Sequence, residues 1–585
     1  MSLWNKRLQN CVSLVTVVFL VTACIHYYGF HTITQESLEA ASLARQLHSS
    51  YNPYAITHLL YRHLNREDVT LGDSRGLYFH WDDWVDLSPG DRVLNRYREW
   101  YPGGQCDMAI ERFAGVNGYW MESHDKKVLR GMANMYCSMP IPEKVFVPID
   151  SAYLEVPVVA KHRLGPGKIP TAIGKRQVLE KMAQLQTNIA IENQGSSPIR
   201  HLQKTVHIHP SEFIFDPEIE IAKLESKLAV GVLAPQDHQY LEFLKHANQL
   251  VETSDKYFKY PWIISDVIQG RSHHLAYPFF KGFISDRERQ SVIHHMVRAW
   301  FQFAESQGFA SWINYGSLLG WAYNGVNMPW DTDIDIQMPI RQLDRMGRYF
   351  NKSIVVEDPR YGNAKYFLEV APTYVKQGNG RNFIDARFID INSGLYIDIS
   401  ALSHTTFEPP QNVVPDQEHS TMVNCKNWNW HSLEELLPIR HTYFEGASVY
   451  IPHNVTQILS RKYGQDSFTT KLNFMGHNYQ KDLRLWVPDR ECKTPPSGSR
   501  FDNRGELTRE GACGSIYVQD EYDITKECSQ RHLELNGDLD VPRNYDTSKM
   551  GDLPIFRKDP WDYLNDINKG EVTNDRWYVR QQVVA

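Results

Sequence analysis

Two periods of apolar residues organise the middle of the chain. From Ser285, positions Val292, Ile293, Met296, Trp300 and Phe303 recur at helical spacing. Ser285 followed by Glu288 has the form of a capping box, which predicts the helix start, and Gly308 predicts its end. Residues 312–315 then read as a strand delivering Gly316-Ser317, with a helix from Leu318. From Asp331 the period drops to two. In a strand, residues i, i+2 and i+4 share a face, so Asp331, Asp333 and Asp335 project together while Ile334, Ile336 and Met338 enter the core. Pro339 ends this strand, and 341–350 predicts a helix covering the sheet. Residues 384–391 and 395–401 alternate about Asn392-Ser393-Gly394, which predicts a hairpin. On its second strand Ile397 and Ile399 face inward and Asp398 faces the other way with Tyr396. Residues 449–464 read as a strand and then a helix closing at Tyr463-Gly464, with Arg461 and Lys462 where cations suit the helix dipole.

Outside this block the pattern is coarser. Residues 176–188, 218–230 and 236–253 show helical spacing, the last with Leu241, Phe243, Leu244 and Leu250 on one side. Residues 53–170 are rich in aromatics with Pro-Gly punctuation, which predicts β-rich or irregular structure. Trp81-Asp82-Asp83-Trp84 reads either as a sugar-stacking platform or as core, and core is the expectation. His207-Ile208-His209, His273-His274 and His294-His295 are read as structural, because no third ligand stands near them. Beyond Pro488 the sequence reads as loop-rich and partly held by disulfides.

The chemistry resides in the acidic strand. Two carboxylates about 4 Å apart repel by roughly 4 kcal/mol at an effective dielectric of 20, so such a cluster calls for a cation. Carboxylate oxygen with substrate phosphate suits Mg²⁺ or Mn²⁺. Gly316-Ser317 reads as the turn that cradles a diphosphate, since glycine lets backbone approach and a helix amino end favours an anion. Gly-Ser, an acidic pair and a third carboxylate make the nucleotidyltransferase pattern. Asp390 rivals Asp398 as the third carboxylate, but its place beside the turn makes it structural. Arg381 and Arg387 are candidates to bind donor phosphates bidentately, with surface pairing as the alternative.

Composition adds limits. The 585 residues are 42% hydrophobic and 22% charged, enough for two or three domains with proper cores. A formal charge of −7 gives no electrostatic case for nucleic acid. Lys6 and Arg7 precede an uncharged stretch at 11–30, which reads as a type II membrane anchor with its bulk in the lumen. A cleaved signal peptide at Val21-Thr22-Ala23 is the alternative. Beyond the span stand Cys106, Cys137, Cys425, Cys492, Cys513 and Cys528, an even number suited to an oxidising compartment. Proximity suggests Cys106 with Cys137 and a pair among the last three. Asn351-Lys352-Ser353 and Asn454-Val455-Thr456 are glycosylation sequons.

With GSLLG, PWDTDIDIQMP, FIDINSGLYIDISAL and FEGASVYIPHNVTQILSRKYG, residues 285–479 resemble the LicD family, which includes the fukutin-related proteins. LYFHWDDWVDLSPGDRVLNRY and the overall layout resemble fungal LicD-type proteins linked to mannosylphosphate transfer. The resemblance implies metal ligands at Asp333, Asp335 and Asp398, with Asp331 outside the core pair. It implies GDP-mannose, or another nucleotide-diphosphate donor, a mannan or N- or O-glycan acceptor, and a Golgi membrane setting. The expected fold is α/β (α+β), a nucleotidyltransferase-like mixed sheet flanked by helices. Its expected parts are a cytoplasmic tail (1–10), anchor (11–30), stem (31–52), accessory lumenal domain (53–274), catalytic domain (275–488) and loop-rich extension (489–585). Two other readings stay open. Asp331-Thr332-Asp333 also fits a metal-dependent glycosyltransferase, and the chain could serve as an accessory partner in a transferase complex.

Overall fold

In the computed structural model, residues 51–86, 124–192, 205–536 and 557–559 are described, apart from short stretches within them. The expected anchor at 11–30, the stem up to residue 50, Cys106, His273-His274 and Arg381 lie outside the described residues. Among the described residues no helix is long and apolar enough to cross a membrane.

A mixed sheet runs through the molecule. Nine of its twelve described strands are β1 (Gly76–Phe79), β2 (Lys144–Ile149), β3 (Ala152–Lys161), β4 (Trp312–Ile313), β5 (Ile334–Pro339), β6 (Ser353–Val356), β7 (Lys365–Val370), β8 (Ala386–Asp390) and β9 (Tyr396–His404). They lie in the order β1-β3-β2-β6-β7-β8-β9-β5-β4. The pairs β1/β3, β2/β6 and β9/β5 are parallel and the rest antiparallel. The expected break at 274/275 does not interrupt this sheet, because β2 from the N-terminal part pairs directly with β6. One apolar core likewise extends from Ile56 to Trp486.

Helices cover both faces. The helix α1 (Asp286–Ser306) starts where Ser285 Oγ accepts the Glu288 N–H, and Gly308 at φ +69° follows its end. Trp300 of α1 meets Phe388 edge-on at 5.5 Å, and Phe303 meets Phe350, just past α3 (Ile340–Tyr349), at 6.1 Å. Pleating turns Phe367 to the opposite face, where its ring lies 5.8 Å from Trp81 and 6.1 Å from Phe279. Trp81 and Trp84 are therefore core, at 4% and 1% exposure.

Several elements differ from expectation. Residues 53–170 open with a helix, Pro53–Leu64, because Pro53 suits the first turn and Asn52 caps it by accepting the Tyr54 N–H. The C-terminal part is not only loop. Cys492 and Cys513 form a disulfide, and a long helix, Ile516–Asn536, follows. Cys425 and Cys528 are buried thiols. Both sequon asparagines are engaged: Asn351 Oδ1 accepts the Val370 N–H at 2.9 Å, and Asn454 Nδ2 donates to Gln457 Oε1 at 2.8 Å. His209 caps the turn Pro210–Phe213, while His295 bridges Glu357 at 2.6 Å and Asp559 at 2.7 Å.

Candidate active site

The parallel pairing of β5 with β9 sets Asp335 directly beside Asp398. On the other side of β9, Arg387 of β8 pairs with Asp398, so Asp335, Asp398 and Arg387 form a row across three strands. The strand starts at Ile334 rather than Asp331, which leaves Asp333 on the bend leading into it. That bend folds the Asp333 carboxylate back over the row. One oxygen from each of Asp333, Asp335 and Asp398 lies within 4.8 Å of the others. Asp333 and Asp398 are only 8% and 7% exposed, and Asp335 is half-buried.

Asp331 also joins the cluster. Burial and the neighbouring Asp333 charge push its carboxyl well above the usual range. Burial, followed by Asp333, Asp398 and Asp331, pushes Asp335 up in the same way, against a weaker pull from Lys462. Two charges at 4.8 Å repel by about 3.5 kcal/mol at an effective dielectric of 20. A donor set of close, largely buried carboxylate oxygens suits a hard divalent cation such as Mg²⁺ or Mn²⁺, so the residues present fit the metal that the sequence implied.

The Gly-Ser turn works differently from a bare phosphate cradle. Asn314 precedes the helix α2 (Tyr315–Asn324) and caps it by accepting the Tyr315 N–H at 2.7 Å. A side chain at Gly316 would place its Cβ 2.1 Å from Asp331 Oδ2, so the glycine makes room for that carboxylate. Ser317 is fully buried, and its Oγ accepts the Asp335 N–H at 3.3 Å. The serine holds the acidic strand against α2, and Gly316 alone of the two lines the neighbouring cavity.

Arg387 is the second revision. It is buried at 3% exposure, its Nε donates to Asp398 Oδ1 at 2.7 Å, and its guanidinium stacks 3.6 Å from the Tyr396 ring centroid. It holds Asp398 in place, which neither phosphate binding nor surface pairing anticipated. Asp390 accepts from Ser393 N at 2.8 Å inside the hairpin turn, the structural role expected of it.

A second buried layer supports the bend from behind. Glu445 Oε1 accepts the Asn327 N–H at 2.7 Å, and Asn327 Nδ2 reaches the Asp333 carbonyl at 3.5 Å. Glu445 is met in turn by His294 at 3.3 Å and Arg557 at 3.2 Å. No local period in the sequence joins Glu445, His294 and Arg557, which stand far apart in the chain.

In front of the carboxylates lies a cavity of about 270 Å³ lined by Gly316, Asp331 and Asp335 together with a set of aromatic rings. Trp330 and Trp486 meet edge-on at 4.9 Å in its wall. No local period in the sequence gathers these rings, which come from separate stretches of chain.

Residues 308–454 match the family described as LicD/FKTN/FKRP, nucleotidyltransferase domain. Mannosyltransferase regulator 4 of Saccharomyces cerevisiae is 38% identical over 208 residues, covering 34% of this chain and 18% of that protein. Mannosyltransferase regulator 14 of the same yeast is 27% identical over 398 residues, covering 50% of this chain and 42% of that protein. The chain thus spans less than half the length of either relative. The matched segment contains all four aspartates of the cluster and both strands that carry them. Residues 308–454 are thus similar to the LicD/FKTN/FKRP nucleotidyltransferase domain, and part of the chain is similar to two yeast proteins named mannosyltransferase regulators.

Proposed function

We propose that this protein transfers mannose 1-phosphate from GDP-mannose to a mannose hydroxyl of a cell-wall or glycoprotein mannan glycan. The observation that carries the reading is the convergence of Asp333, Asp335 and Asp398 from two chain segments to within 4.8 Å. These three would hold Mn²⁺ or Mg²⁺, which when bound supplies counter-charge to the diphosphate and to charge developing on phosphorus. The amino end of α2, at Tyr315-Gly316, presents its partial positive charge to the same phosphates. Asp398, oriented by Arg387 through Oδ1, aligns the acceptor hydroxyl and accepts its proton. The hydroxyl oxygen bonds to the sugar-linked phosphorus, the bond to the second phosphate breaks, and GMP leaves. The setting is the Golgi lumen, with 11–30 as the membrane anchor.

The names of the two yeast relatives favour a second reading, in which the chain regulates a mannosyltransferase without chemistry of its own. One assay separates the readings. Full chain is incubated with GDP-mannose, Mn²⁺ and a mannooligosaccharide, and the released nucleotide is identified. Phosphorus attack releases GMP and glycosyl transfer releases GDP. Release of neither GMP nor GDP with any divalent metal supports the regulator.

A further inference from the structure

The cavity beside the carboxylates has walls of a definite chemistry. Tyr315, Tyr323, Trp330, Tyr463, Phe474 and Trp486 line it, and the polar groups at its base are Asp331, Asp335 and Ser467. Among the described lining residues there is no lysine, arginine or histidine. The rings are of two kinds. Trp330 and Trp486 are buried at 8% and 4% exposure and set the shape, whereas Tyr463 and Phe474 are each 37% exposed and flank the opening. Tyr323 is fixed by donating its hydroxyl to the Ser467 carbonyl at 2.7 Å, and it meets Trp486 edge-on at 4.9 Å.

We propose that this aromatic cavity binds a neutral hexopyranose ring, the acceptor sugar of the transfer. The identity as acceptor rests on the function proposed above; the ring-binding claim does not. The argument has three parts. First, aromatic faces with a few placed polar groups match a ligand that has C–H faces and a hydroxyl rim. Second, a phosphate group placed about 4 Å from Asp331, which stands outside the proposed metal ligands, would meet roughly 4 kcal/mol of repulsion at an effective dielectric of 20. Neutral hydroxyls instead donate hydrogen bonds to the same oxygens. Third, the volume of about 270 Å³ lies just below the range of about 300–1,000 Å³ for drug-sized ligands, the scale of a single sugar ring. Asp335 belongs both to the cavity and to the converging triad, so a hydroxyl held at its base sits beside the reacting centre.

The test reads binding directly, without turnover. Tryptophan fluorescence of the full chain is titrated with methyl α-mannoside, with mannose 1-phosphate and with GMP, in the absence of metal. The expected result is a saturable response to the neutral mannoside, weaker for both anions. Phe474→Ala should weaken the mannoside by about tenfold through loss of one ring face, while Mn²⁺ raises its melting temperature as in wild type. Tyr463→Ala should act in the same direction. No response to the mannoside, or an undiminished response in a folded Phe474→Ala protein, overturns the proposal. So does a Phe474→Ala effect confined to GMP, which would make the cavity a nucleotide site. Mannoside binding without any phosphodiester product would refute the transferase reading and leave the sugar site standing.

Discussion

Gly316→Ala probes how the acidic bend is held. The added Cβ would lie 2.1 Å from Asp331 Oδ2 and 3.1 Å from its Cγ, so the carboxylate must retreat by more than about 1 Å to reach an ordinary contact. Asp331 cannot move alone, because its N–H is held by the Met328 carbonyl at 2.9 Å and Asp333 follows two residues later. The fold itself should tolerate the change. Overpacking costs about 1–3 kcal/mol, and alanine in place of glycine within a helix returns about 1 kcal/mol. Activity should not tolerate it, since a misplacement of about 1 Å at a reacting centre costs on the order of 100-fold in rate. The expected outcome is a melting temperature near wild type with turnover of GDP-mannose, read as nucleotide release, reduced by about 100-fold. Asp331→Ala removes the atom that the new methyl strikes, so the two substitutions should couple by about 1–3 kcal/mol in a stability cycle. Wild-type turnover by Gly316→Ala, with additive stabilities in the cycle, would refute the argument.

Asp335→Asn removes one charge from carboxylates that repel by about 3.5 kcal/mol a pair at 4.8 Å. Metal-free protein should melt no lower than wild type, and the stabilisation by Mn²⁺ should vanish; a wild-type Mn²⁺ shift would contradict the assignment. His295 is pushed well above its ordinary value, its burial outweighed by Glu357 and Asp559, while Asp559 is held below the usual carboxylate range by His295 despite burial. The histidine's contribution is fully present below about pH 6.5 and is lost as pH rises through its raised folded value. That of Asp559 is present above about pH 3.9 and is lost in acid. Urea unfolding should therefore show stability falling above about pH 6.5, by up to about 1.4 kcal/mol per pH unit. The fall should be smaller in Asp559→Asn, and equal slopes would count against the pair. Replacing Cys492 and Cys513, 21 residues apart, with alanine should cost about 3 kcal/mol, seen as a lowered melting temperature together with no change in the number of free thiols.

The acidic strand and the hairpin were legible because each alternates Ile with Asp, a pattern that only a sheet with one charged row accommodates. The pairing of Asp335 with Asp398 was implied by shared chemistry, but its register could be read only from the folded sheet. Ser317 and Arg387 were legible as residues of interest and not as to role. A hydroxyl that accepts from the backbone of the next strand and one that faces a phosphate look the same in sequence. The helix Ile516–Asn536 was missed because its buried side includes Glu521, Thr525 and His532, which read as solvated. They are buried because partners arrive from elsewhere: Arg287 and Arg557 meet Glu521, and Arg557 Nε donates to Thr525 Oγ1 at 3.2 Å. The aromatic wall escaped for the same reason, since no local period links Trp330, Phe474 and Trp486.

Tyr315, Tyr323 and Trp330 share a length of chain with the carboxylates, but the other three rings in front of them do not. Every aspartate of the cluster precedes residue 400, whereas Tyr463, Phe474 and Trp486 arrive later, the last two on a small antiparallel sheet of 473–488. Reactivity and selectivity are thus separable units of inheritance. Substitutions along that outer sheet can retune which guest is admitted while the electrostatic heart stays untouched, and a transplant of 463–488 between kindred proteins should carry the preference with it.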